Sequence, residues 1–188
     1  RGTRDWGQVE GGVQGVTELP TYVLSNSSPR AMPSGDSLLS LLNPAASGFI
    51  AKVRRITLTV SAETSDPSNS VELLLHRITA HGTGTTITPR PFDTGDAAAA
   101  CTGREDLTVE PAYGVQIGSW TTRVMTDNGV GQKYAGTTAF EFRIYDYISG
   151  GPGKPLTLLQ GEGITLEVDS NLPLAGMAAV IEFTEEPV

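Results

Sequence analysis

Between Gly151 and Glu186 the chain reads GPGKPLTLLQGEGITLEVDSNLPLAGMAAVIEFTEE and alternates apolar with polar positions twice around turn-forming residues. Ile164, Leu166 and Val168 share one parity, and Thr165, Glu167 and Asp169 the other. Met177, Ala179, Ile181 and Phe183 repeat the pattern against Ala178, Glu182 and Thr184. A period of two places successive side chains on opposite faces of a strand, so this stretch predicts two half-buried antiparallel strands. The same period recurs in TYVLSN after Pro20 and in TTAFEFRIYDY, where Phe140, Phe142 and Ile144 are expected inside and Glu141, Arg143 and Tyr145 outside. It recurs again in GVQIGSWTTRVM and PLTLL. SLLSLL at 37–42 fits a helical turn as well as a strand, and its shortness and its Gly35-Asp36 and Asn43-Pro44 flanks favour the strand.

Two segments depart from simple alternation. In FIAKVRRITLTV, Phe49, Ala51 and Val53 lie on one parity but Ile56, Leu58 and Val60 on the other, which predicts a β-bulge near Arg54-Arg55 that restores one core face. In VELLLHRITA, Leu74 interrupts the alternation of Val71, Leu73 and Leu75 with Glu72 and His76. That strand is expected to be covered on both faces and to be central. Residues 81–104 are a long Gly-, Thr-, Pro- and Ala-rich connection with one or two short strands expected in it, the kind of loop that often has an interface role. No helical period of 10–15 residues alternates with the strands, so the reading is an all-β antiparallel sandwich or barrel of about eight to ten strands.

A length of 188 residues suffices for one domain that buries roughly 70% of its unfolded surface. The sandwich is assigned to residues 20–188. Residues 1–19 are polar and glycine-rich with Trp6 as the one aromatic side chain, and they read as an extended arm that orders against a partner. The first twelve residues hold no apolar run of the signal-peptide type. The 22 glycines and 12 prolines fit many short strands joined by turns. A net charge of −8 with 13 basic residues argues against a nucleic-acid partner. No run approaches the ~18 apolar residues of a membrane span, so no membrane partner is expected. Cys101 is the single cysteine, which excludes an internal disulfide framework.

Candidate chemistry is sparse. His76 and His81 are the two histidines, one on an outward strand position and one in the following turn, and they read as a surface histidine and a turn histidine. Zinc and iron sites need three or four converging ligands, so no metal site and no cofactor is assigned. Cys101 has no base beside it in sequence and reads as a small buried residue. No G-x-S-x-G elbow and no G-x-x-x-x-G-K-[ST] loop occurs, GTGTT and GVGQKYAG included. Glu141, Glu167 and Glu182 lie on outward parities, expected to be solvated, with no aromatic ladder of the kind that lines a glycosidase cleft. Asp93 and Asp96 in DTGD lack the ligand count of a calcium loop. No catalytic residue is assigned. Lys52, Arg54 and Arg55 form the densest basic cluster, a solvated strand face or a docking patch for an acidic surface.

Read together, LPTYVL, NPAASGFIAKVRRITLTV, LLLHRITAHGTGTTITPRPFDTGDAAAA, GPGKPLTLLQGEGITLEVDS and IEFTEE resemble a group of phage-encoded virion structural proteins over residues 19–186. The resemblance implies a jelly-roll-like sandwich and a non-enzymatic capsid decoration, or cement, protein on the virion surface, made in the host cytoplasm. The implied partners are the major capsid protein or other virion subunits and further copies of the chain, with a homotrimer favoured. Arg4, Trp6, Lys52, Arg54 and Arg55 are the residues assigned to partner contact. Two alternatives stand beside it: a tail, fibre or extracellular-filament subunit whose arm pairs with a neighbour, and a carbohydrate-binding β-sandwich.

Overall fold

The computed structural model describes residues 19–29, 32–61, 70–123, 139–147, 154–169 and 176–188. Among them lie twelve strands and no helix: β1 (Thr21–Ser25), β2 (Asp36–Leu42), β3 (Phe49–Ser61), β4 (Ser70–Ile78), β5 (Thr83–Ile87), β6 (Arg90–Pro91), β7 (Thr102–Val109), β8 (Gln116–Arg123), β9 (Ala139–Asp146), β10 (Leu156–Leu158), β11 (Gly163–Asp169) and β12 (Gly176–Pro187). They form two antiparallel sheets. The first has the order β6-β1-β12-β3, with β9 and β10 following one another along the free side of β3, and the second has the order β5-β7-β2-β11-β4-β8.

The all-β reading of the sequence holds, and the two sheets share one core. Leu24, Ile56, Leu58, Ile181 and Phe183 from the first sheet meet Leu39, Leu41, Leu73, Leu75, Ile164 and Leu166 from the second. Each such side chain contributes about 1.5–3 kcal/mol on full burial. The expected core positions Ile144, Ile164, Leu166, Val168, Ile181 and Phe183 are buried, while the side chains of Phe140 and Phe142 fall outside those described. The bulge expected near Arg54-Arg55 is present. Glu182 pairs with Arg55 and Phe183 with Val53, so Arg54 is the extra residue that switches the inward parity.

Three expectations are corrected. The two strands of the Gly151–Glu186 stretch do not pair with each other: β11 lies between β2 and β4 in one sheet, and β12 between β1 and β3 in the other. Both are central, and Thr165 and Thr184, expected outside, are buried. Tyr145 is not an outward residue. The pairing of β9 with β3 shifts between Thr57–Arg143 and Ile56–Tyr145, and Tyr145 packs against the core. Finally, β7 falls in a region with no strand pattern, because it mixes a buried Glu105 with Asp106 in the left-handed region (φ 55).

With the short β10, which joins β9 in the first sheet, set aside, successive strands outside residues 83–109 pass from one sheet to the other. The exception is the connection between β4 and β8. It leaves Ile78, crosses the outer face of the second sheet, places β5 and β7 on that sheet's far edge and β6 against β1, then returns over β2 and β4 to Val115. Side chains on the outer face are therefore covered. Ser37, Ser40, Thr165, His76 and Ile78 are all buried although they alternate with the core. This also explains SLLSLL, which is buried on both faces from Ser37 to Leu41.

Candidate functional site

The polar groups gathered beneath the β4–β8 connection are the densest chemistry among the described residues. Strand register sets their rows: Thr165 of β11 lies between Ser40 of β2 and His76 of β4, and Glu167 lies between Ser37 and Leu74. His76 Nε2 sits 2.8 Å from Glu167 Oε2. The contact is ionic in distance but out of line for a hydrogen bond, and neither imidazole nitrogen has a hydrogen-bond partner. Tyr113 of the returning segment closes over the imidazole, ring centroids 4.8 Å apart and planes 20° from parallel. Its hydroxyl donates to the Gly35 carbonyl or to Glu110 Oε2, each at 3.0 Å, and lies equally close to Ser37 Oγ. Glu110 Oε2 also accepts the Ser37 backbone N–H at 3.0 Å.

His76 is thus not the surface histidine that its parity implied, nor is Glu167 solvated. His76 is only 8% exposed. Alternation assigns a residue to a face and is silent on what covers that face. Burial raises the Glu167 carboxyl above the ordinary carboxylate range, partly offset by His76. Burial and the nearby Glu110 raise Asp36 in the same direction. Burial also pushes the Tyr113 phenol up.

The second histidine pins the outbound crossing. His81 Nδ1 lies 2.8 Å from Ser40 Oγ, and Nε2 lies 3.0 Å from Thr102 Oγ1. The Arg104 guanidinium donates to the Gly82 carbonyl at 3.0 Å, next to the ring. Burial, with Arg104 second, lowers His81 to about 4, so the ring is neutral at pH 7. A neutral imidazole donates at one nitrogen and accepts at the other, which suits two hydroxyl neighbours. The arrangement holds a serine beside a histidine, but Ser40 is fully buried and cannot meet a substrate.

The remaining reactive groups brace the chain. Cys101 is buried, as the sequence indicated. Glu185 and Glu105, which sequence reasoning passed over, are buried carboxylates: Glu185 accepts the Ala100 and Cys101 amides, and Glu105 accepts the Ser27 N–H at 2.7 Å and its hydroxyl at 2.6 Å. Asn26 and Asn43 likewise tie strand ends, Asn43 by donating to the Phe49 and Leu158 carbonyls. The one sequence signal for Glu185 was its parity, which matches the inward row of β3 partners through Ala51. Among the described residues no three His, Cys, Asp or Glu side chains are grouped to hold a metal ion, and Asp93 and Asp96 share only a turn, closed by the Asp96 N–H on the Asp93 carbonyl.

The basic cluster is separated by its pairings. Lys52 binds Glu186, and Arg55 reaches Glu182 at 3.4 Å and Asp146 at 3.9 Å. Glu182 is therefore an ion-pair partner more than a solvated carboxylate. Arg54, at the bulge, has a buried Nε with no hydrogen-bond partner. Arg4 and Trp6 lie outside the described residues. Where β8 faces β9 and β10 across the sandwich, Leu75, Ile117, Trp120, Ile144, Tyr145 and Leu156 line an apolar slot of about 350 Å³. No protein-family description, no curated protein and no solved structure gives a significant match to this chain.

Proposed function

We propose that this chain is a non-enzymatic virion structural protein of jelly-roll type, a phage capsid decoration protein that binds the assembled head. The observation that carries the reading is the nesting of its strands. With the insertion at 83–109 and the short β10 set aside, eight strands give the orders β1-β12-β3-β9 and β2-β11-β4-β8. Such nesting supports a reading as a double-sheet jelly roll, an architecture common to viral capsid and lectin domains. A second support is that His76, His81, Cys101, Glu105 and Glu185 are engaged in contacts within the chain. A subunit that binds only the assembled lattice stabilises it by mass action, and many weak contacts add by avidity.

On this reading the partners are the major capsid protein and further copies of the chain, with a trimer favoured. Arg4 and Trp6 are assigned to an N-terminal arm, and Arg54 is the cluster member open to an acidic partner surface. The experiment is occupancy: purified heads lacking the protein are mixed with the full chain, with a variant lacking residues 1–18, and with Trp6→Ala. Saturable binding to heads, weakened in both variants, supports the reading, and absence of binding by the full chain rejects it. A glycan-binding sandwich is the second reading, favoured by Trp120 and Tyr145 in the slot. Saturable binding of an oligosaccharide, lost in Trp120→Ala, would select it.

A further inference from the structure

We propose that the pocket beside the end of β1 binds the C-terminal segment of another polypeptide, added as a short strand to the β1 edge with its terminal carboxylate on Arg90. The inference does not depend on the virion reading. The pocket opens where the chain leaves β5 in the second sheet and enters β6 in the first, and Val23, Ser25, Ser27, Ile87, Thr88 and Arg90 line a space of about 350 Å³. The course of β1 exposes main-chain groups there. The Asn26 N–H points to β12 and donates to the Ala179 carbonyl, whereas the Thr21 carbonyl accepts the Phe92 N–H on the opposite side. Alternation along the strand therefore turns the Ser25 N–H and carbonyl away from β12, in the direction of β6. Yet β6 meets β1 only at Tyr22 and Val23. Ser25 is thus an open edge position, a donor and an acceptor with no neighbouring strand among the described residues.

The walls of the pocket are fixed. Asn26 Nδ2 donates to the Ser28 and Met177 carbonyls at 2.7 and 3.2 Å, and its Oδ1 accepts the Ala179 N–H at 2.6 Å. Ser27 gives both its N–H and its hydroxyl to the buried Glu105. What remains unengaged faces the space: the Ser25 main chain, the Ser25 and Thr88 hydroxyls, and the Arg90 guanidinium, which has no carboxylate or hydrogen-bond partner among the described residues. No acidic side chain lines the pocket, and a guanidinium fork matches the two oxygens of a carboxylate. Direction then selects which end of a peptide enters. β6 is antiparallel to β1 with Arg90 opposite Val23, so a peptide laid beside Ser25 in the same sense ends at Arg90. Its last residue, opposite Ser25, gives its N–H to the Ser25 carbonyl and sets its carboxylate between the Ser25 N–H and the guanidinium. Val23 and Ile87 offer an apolar wall to that residue, which is therefore aliphatic. Edge addition and capture of a terminal carboxylate are both general modes of peptide recognition.

The test is an amide NMR titration of the full chain with acetyl-Ala-Val-Val bearing a free carboxylate, and with the same peptide amidated. The expected result is saturable shifts at Ser25, Thr88 and Arg90 with the acid, and an affinity for the amide lower by roughly tenfold or more, because a charge-assisted pair is lost. Arg90→Gln should weaken the acid by a similar factor, and Arg90→Lys should recover part of it. Ser25→Pro removes the outward N–H at an edge position, where proline is tolerated, and should also weaken binding, which a bare attraction between an anion and Arg90 would not predict. Should Ser25→Pro fail to fold, a peptide N-methylated at its last residue probes the same pairing from the other side. Equal affinity for acid and amide, binding indifferent to Arg90→Gln, full affinity of the N-methylated peptide, or no binding at millimolar peptide overturns the proposal. Glucuronate is the last arm: shifts of the same residues at equal or lower concentration would assign the pocket to a sugar acid and overturn the peptide.

Discussion

Glu185 holds Cys101 by its backbone: one carboxylate oxygen accepts the Cys101 N–H at 2.7 Å while the other accepts the Ala100 N–H at 3.0 Å. Glu185 is 3% exposed and Cys101 2%, so the pair locks the end of the 92–101 loop into the edge of the core. Glu185→Gln turns one acceptor into a donor that faces an amide, and a buried group left unsatisfied costs about 1–3 kcal/mol. Urea denaturation should show a loss in that range, with an unchanged slope.

The Cys101 thiol is pushed up by burial and by the Glu185 charge, which disfavours the reactive thiolate. A disulfide reagent at pH 8 should therefore label the native protein only as fast as the protein opens. Rapid stoichiometric labelling of folded protein would contradict the burial assigned here.

Phe183 is fully buried and stacks on Tyr22 with ring centroids 5.5 Å apart. Phe183→Ala should cost about 3–5 kcal/mol, the usual cost of emptying a buried aromatic site. Phe183→Leu should recover part of that loss. Chemical denaturation of both variants beside the wild type makes the comparison.

Much of this core was legible in the sequence, because alternation marks the inward parity and the switch between Val53 and Ile56 locates the bulge at Arg54. The partners of each strand were not. Nothing in the period of GITLEVD or GMAAVIEF says that the two strands enter opposite sheets, since pairing is fixed by nesting across the chain. The candidate site was hidden for a related reason. His76 and Glu167 sit on outward positions, and the cover over them comes from Glu110 and Tyr113, more than 30 residues from His76 in sequence. Leu74 was the one local hint, an apolar residue on a face that alternation had assigned to solvent.

Global stability should depend on pH through His81. The folded ring titrates near 4 and the unfolded ring near 6.5, so the unfolded chain binds the extra proton in between. Stability contributed above about pH 6.5 is lost as pH falls toward 4 and levels off below. Glu167 and Asp36, raised when folded, dampen this loss. Urea midpoints at pH 7, 5.5 and 4.5 should fall steadily in the wild type and fall less in His81→Gln. Parallel curves would remove His81 as the cause.

Gly118 lies directly under the Trp120 ring, where an added Cβ would collide with the indole. Gly118→Ala should push the ring off Leu73, its cross-strand neighbour, and cost about 1–3 kcal/mol as overpacking does. Trp120 emission should shift to longer wavelength as the indole meets water. An unshifted spectrum in a Trp6→Phe background, where Trp120 is the remaining tryptophan, would show that the ring has room to move.

The central positions of β11 and β12 bear on how the chain is made. β2 and β4 meet only through β11, and β1 and β3 only through β12, so on a ribosome the earlier strands wait, each lacking the neighbour that completes its ladder. The second sheet cannot close until β11 has cleared the exit tunnel, nor the first until β12 has. With its contacts so distant in sequence, the fold is slow to complete. Until then the unpaired edges of β1 to β4 are open to wrong partners, and synthesis, more than the finished protein, is where this chain is exposed to aggregation.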